Sequence, residues 1–205
     1  MSLRVTSLAG LATAAVVALS LQHTTPAAEG ASPAAASPVS EAPSFTPDGR
    51  LMFPAAYREW IYLSSGLDMS YRERMTGHSM FDNVFVEPRS YRAFLKTGTW
   101  PDRTVLVMEV RGAASKGSIN VSGQFQTGQP MGFEAHVKDT KRFPGGWAFF
   151  AFGSTEPVAA LPTAAECYAC HQQNAAVDTT FVQFYPTLLP IAEAHGTVKP
   201  GNGLK

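Results

Sequence analysis

Near its C-terminal end the chain reads Cys167-Tyr168-Ala169-Cys170-His171, and a fold that uses these residues must set them on a helical turn beside an apolar space. Two cysteines three apart lie on one side of such a turn, where their sulfurs can add to the two vinyl groups of a haem. The adjacent histidine is then placed to ligate the iron. The pattern predicts one covalent haem c, bonded through Cys167 and Cys170, with iron held by His171. Other chemistries use the same residues. A disulfide or a thioredoxin-like couple suits an exported protein, although a redox couple belongs at the start of a helix that follows a strand, and here Pro162-Thr163 opens the helix. Zinc calls for about four ligands, whereas the chain has 2 cysteines and its other histidines are scattered at 23, 78, 136 and 195.

The N-terminus points to export. Met1 to Arg4 is short and basic, and Leu8 to Leu21 is uncharged and apolar, shorter than the ~20 residues a membrane-spanning helix needs. Small residues follow, as in a signal peptide with its cleavage region. Residues 1–28 are therefore expected to be a signal peptide. Residues 29–44, mostly Ala, Pro, Ser and Glu, cannot bury enough apolar surface to order themselves and read as a linker. This leaves a haem domain over 45–196 and a frayed tail over 197–205, expected to be soluble in the periplasm. Lys plus Arg and Asp plus Glu are both 16, with no dense basic cluster, so no nucleic-acid partner is expected.

Hydrophobic periodicity sets the fold class. Pro54, Tyr57, Trp60 and Ile61 predict a helix from Pro54 to Leu63. Pro88, Tyr91, Phe94 and Leu95 predict another that stops at Gly98. Period-two alternation predicts strands at Ile119–Gln126 and Phe133–Lys138, joined by a turn over Gln126–Met131. Asp82–Val86, Thr104–Val110 and Trp147–Phe152 complete the strands. Strands at short spacing without a βαβ rhythm predict an α+β fold: an antiparallel β-sheet core with peripheral helices and a C-terminal haem-attachment helix.

What the haem can do depends on its second axial position. Alternation puts Thr104, Leu106, Met108 and Val110 on one strand face, which makes Met108 the first candidate for a sixth ligand, ahead of Met75, Met80 and Met131. Phe81 and Phe133, with Met108, are the expected apolar lining of the pocket. Asp82, Glu109 and His78 are candidates for moving protons. His136 falls on the polar side of its strand and is expected to be solvated; His195 lies near the C-terminal end.

Taken in order, Tyr57-Arg58-Glu59-Trp60, Val84-Phe85-Val86-Glu87-Pro88, Ser90-Tyr91, Lys96-Thr97-Gly98, Val137-Lys138-Asp139, Lys141-Arg142-Phe143, Trp147-Ala148-Phe149, Cys167 to His171 and Phe184-Tyr185-Pro186 resemble the cytochrome P-460 family, which includes the cytochromes c′-β. The resemblance implies a small antiparallel-sheet domain, often a homodimer, with a pentacoordinate c-type haem ligated by the motif histidine and devoted to nitrogen-oxide chemistry. Some members oxidise hydroxylamine with a haem cross-linked to a lysine; c′-β relatives lack the link and bind nitric oxide or carbon monoxide. Met108 stands where the lysine aligns, and a thioether cannot make that bond. Asp82 falls where some members carry a basic residue. The leading expectation is thus a periplasmic mono-haem protein whose iron binds nitric oxide or a similar small ligand. A hydroxylamine-oxidising or peroxidase-like enzyme is the alternative, and a six-coordinate electron-transfer cytochrome with a periplasmic redox partner the second.

Overall fold

The computed structural model describes residues 42–70 and 78–204. The expected signal peptide, most of the expected linker and Met75 lie outside the described residues. Among the described residues, five strands follow one another as a meander: β1 Ile61–Leu67, β2 Met80–Val86, β3 Val105–Ala114, β4 Phe125–Lys138 and β5 Trp147–Phe152. Every neighbouring pair is antiparallel, in the spatial order β1-β2-β3-β4-β5. Three helices, α1 Pro88–Thr97, α2 Glu166–Asn174 and α3 Leu189–Ala194, lie outside the sheet, as the α+β expectation requires.

Both faces of the sheet are covered, and each has its own core. On one face Val86 and Leu106 pack with Phe94, Trp100, Val182 and Leu188 from the helical side. On the other, Val105, Val107, Ala135, Val137 and Phe150 pack beneath Leu51, Tyr57 and Trp60 from the segment preceding β1. Successive side chains of a strand point to opposite faces, so the odd and even residues of β3 enter different cores.

Helix α1 shows how local sequence signals fix an element. Pro88 supplies the φ of the first turn, and the buried Glu87 carboxylate accepts the Ser90 N–H at 2.9 Å, satisfying a free amide of the helix start. Burial raises the Glu87 carboxyl, against the hydrogen bonds from Ser90. Gly98 ends the helix in the left-handed conformation, φ 68°, and its N–H donates to the Phe94 carbonyl at 2.8 Å. A Cβ on Gly98 would stand 2.7 Å from that of His195. Gly98→Ala should therefore cost about 1–2 kcal/mol for the left-handed backbone alone, read as a lower urea midpoint at unchanged slope.

Three expectations give way. Residues 57–59 form a single 3-10 turn, after which Ile61 pairs with Val86 as β1 begins; an apolar stripe this short is compatible with either period. The alternation at Ile119 and Val121 lies in the β3–β4 connection, where the two side chains are 94% and 98% exposed, because alternation makes no strand without a partner to pair with. The reversal therefore falls at residues 115–124, and Gly128 and Pro130 sit inside β4 beside a break in register at Arg111, a position that tolerates a residue with no N–H to give. The expected frayed tail is tied back: Thr197 Oγ1 donates to the Gly98 carbonyl at 2.7 Å, Lys199 N–H to Ala176 at 2.8 Å, and Asn202 Nδ2 to Gln173 at 2.9 Å.

Candidate functional site

Helix α2 carries the Cys-x-x-Cys-His residues. Cys167, Cys170 and His171 stand at i, i+3 and i+4, which puts them on one helix face, and both thiols are free. Burial raises the Cys167 thiol, with smaller contributions from the negative charges of Glu134 and Cys170. His171 Nδ1 lies 2.7 Å from the Thr179 carbonyl oxygen. A carbonyl can only accept, so Nδ1 carries the proton and Nε2 keeps its lone pair. Burial lowers the His171 pKa, opposed by the Thr179 carbonyl, so the ring is neutral, the form that binds a metal.

His171 lines a cleft of about 220 Å³, whose walls are the sheet face of Leu106 and Met108 and the segment carrying Phe181 and Phe184. Strand register places the groups on the sheet side. Met108 pairs with Val84 on β2 and with Glu134 on β4, Asp82 pairs with Val110 one step along, and Leu106 pairs with His136, which in turn pairs with Phe149. Asp82 and Glu134 both face the cleft. Burial raises the Asp82 carboxyl, helped by Asp68, and desolvation raises Glu134, helped by Asp82. Glu134 is exposed at the cleft mouth, so it is within reach of water as well as of whatever occupies the cleft.

The structure brings together some of the expected site residues and separates others. Met108, Asp82 and His171 share the cleft. Phe133 belongs to the opposite core, 4.9 Å from the Phe53 ring and 5.5 Å from Tyr57. Phe81 alternates with Asp82 and so points with Phe85 to that same far face. Neither therefore lines the cleft with Met108. Glu109 is also on the far face, 2% exposed, where it accepts from the Tyr57 hydroxyl and pairs with Arg58 and Arg111. Burial alone would raise its carboxyl, but the hydrogen bonds from Arg111 and Tyr57 and the two guanidinium charges hold it below the usual range. It is a structural anion, remote from the cleft. His78 and His195 are exposed.

His136 is the clearest correction. Alternation predicts a solvated ring, but His136 is 9% exposed, stacked on Phe149 at 4.0 Å and edge-on to His171 at 5.2 Å. Burial and the neighbouring His171 pull its pKa well down. Residues that alternate as polar in the sequence, Asp82, Glu134 and His136, in fact face the cleft.

The Cytochrome P460 family pattern matches residues 54–182, from the segment before β1 through α2 to the end of the turn that holds Thr179. This chain belongs to the Cytochrome P460 family. Comparison with curated proteins finds no match. Membership makes the protein a haem-binding cytochrome, and its own residues suit that group. The histidine is neutral with one nitrogen anchored and the other free, the arrangement a ligating imidazole needs, and an apolar cleft lies beside it. Sequence reasoning missed Thr179 and Glu134. No spacing rule links Thr179 to His171, but the register of Met108 with Glu134 follows once the two strands are paired.

Proposed function

We propose that this member of the Cytochrome P460 family is an exported, periplasmic protein with one covalent haem c on Cys167 and Cys170, His171 as its protein ligand to iron, and a sixth position open to nitric oxide or a similar small neutral molecule. The observation that carries this reading is the cleft itself, in which His171, with Nδ1 anchored, faces a space walled by Leu106, Phe149, Phe181 and Phe184. Haem, when bound, supplies an iron that takes up a diatomic and exchanges single electrons. Apolar walls select small neutral ligands, since burying a charged one without partners is costly. Asp82 and Glu134, whose carboxyls burial raises, supply polar groups at the edge of the same cleft. A homodimer and a periplasmic redox partner complete the proposal.

Met108→Ala tests the open position. The reading predicts a high-spin ferric spectrum both before and after the substitution. A low-spin spectrum converted to high spin by Met108→Ala would make Met108 the sixth ligand and the protein an electron carrier.

The carboxyl of Glu134 favours a second reading, hydroxylamine oxidation with Glu134 as proton acceptor, although Met108 replaces the lysine of cross-linked members. A base works when deprotonated, and desolvation raises Glu134, so turnover with an electron acceptor should climb with pH above the ordinary carboxylate range. Glu134→Gln should then lower it by about 100-fold or more. Turnover that Glu134→Gln leaves unchanged would contradict this role.

A further inference from the structure

The turn that follows α2 is fastened to β4 at two positions on one face. Lys138 Nζ pairs with the Asp178 carboxylate at 2.9 Å and donates to the Trp100 carbonyl at 2.8 Å. Two residues earlier on the strand, His136 Nε2 lies 3.1 Å from Thr179 Oγ1. Thr179 in turn presents its carbonyl to His171 Nδ1 at 2.7 Å. The turn between is tight: Val177 and Thr180 exchange backbone hydrogen bonds of 3.3 and 2.8 Å, and Trp100 Nε1 donates to Thr180 Oγ1 at 2.7 Å. Asp178 adopts φ 52°, a left-handed turn conformation that aspartate takes more readily than most non-glycine residues.

His136 is an imidazole where packing alone would accept an aliphatic or phenyl side chain. Its ring is stacked on Phe149 and 4.4 Å from Trp147, and its Nε2 hydrogen-bonds with the Thr179 hydroxyl. A ligating histidine becomes more basic, and better fixed in orientation, when its second nitrogen donates to a firmly held acceptor. How firmly the Thr179 carbonyl is held depends on what fixes its own residue.

We propose that His136 is a positioning residue for His171, acting through Thr179: its bond to the Thr179 hydroxyl fixes the peptide whose carbonyl anchors His171 Nδ1, and so sets the strength of the bond from His171 to iron. The inference rests on the reading of His171 as the iron ligand. Strand β4 thereby joins the two sides of the site, with Glu134 at the cleft mouth and His136 behind the ligand.

Resonance Raman spectroscopy of the ferrous holoprotein reads the iron–histidine stretch directly. His136→Phe keeps a ring on Phe149 and removes Nε2; Thr179→Val keeps the carbonyl and removes Oγ1. Each should lower the stretching frequency and raise the reduction potential, and the double variant should add little, because both changes break one link. Thr179→Ser, which retains a hydroxyl, should restore the original frequency. If His136→Phe does not fold, the Thr179 pair carries the same comparison. A frequency unmoved by Thr179→Val and His136→Phe overturns the positioning role alone. A five-coordinate, high-spin ferrous holoprotein that shows no iron–histidine stretch overturns both this inference and the assignment of His171.

Discussion

Replacing Cys167 and Cys170 together with serine is expected to give a protein whose haem, if retained at all, is stripped by acidified organic solvent, while the unsubstituted protein keeps its haem through the same treatment. Serine hydroxyls do not form the thioether bonds to the porphyrin vinyls that cysteine sulfurs form, so the change in covalent haem is all or none. His171→Ala in the cysteine-containing protein should separate attachment from ligation. The haem stays on the chain, but the iron–histidine stretch disappears. Covalent haem in the double serine variant would show that the motif plays another part, such as the disulfide or redox couple that its spacing also allows.

The largest expected loss of stability lies on the far side of the sheet. Glu109 is 2% exposed and is shared by Tyr57, Arg58 and Arg111, the last only 14% exposed at its side chain. Glu109→Ala leaves Arg111 without its carboxylate and the Tyr57 hydroxyl without its acceptor. Breaking such a buried pair from one side costs about 3–5 kcal/mol, which urea unfolding would read as a markedly lower midpoint. Because Glu109 and Met108 point to opposite faces, the haem spectrum of the folded variant should not change. A Glu109→Ala variant that keeps its stability but loses a catalytic rate would return Glu109 to the list of proton carriers from which its placement removes it.

The sequence made the class of fold and the haem motif legible because those signals are local. Helix α1 follows from Pro88, the Phe94 stripe and Gly98, and β5 from an unbroken apolar run. The site was harder to read because alternation tells which residues share a face but not what the face looks onto. Leu106 and Met108 do share the face that alternation assigns them. His136, alternating with apolar neighbours, looks like a solvated position, yet it is buried against Phe149 and His171 and lines the cleft, while Glu134 on the same face stays exposed at the cleft mouth. Phe133, apolar and nearby in sequence, belongs to the second core for the same reason. A sheet buried on both faces defeats the rule that polar positions face water. Ile119 and Val121 mark the opposite failure, since alternation there arises in a connection that pairs with no strand.

Whether the haem iron is open toward the Met108 cleft is read from an optical spectrum of the purified protein, oxidised, reduced and then exposed to nitric oxide. A high-spin, five-coordinate ferric spectrum and prompt conversion to a nitrosyl species are expected. A six-coordinate, low-spin spectrum that persists unchanged under nitric oxide would contradict it.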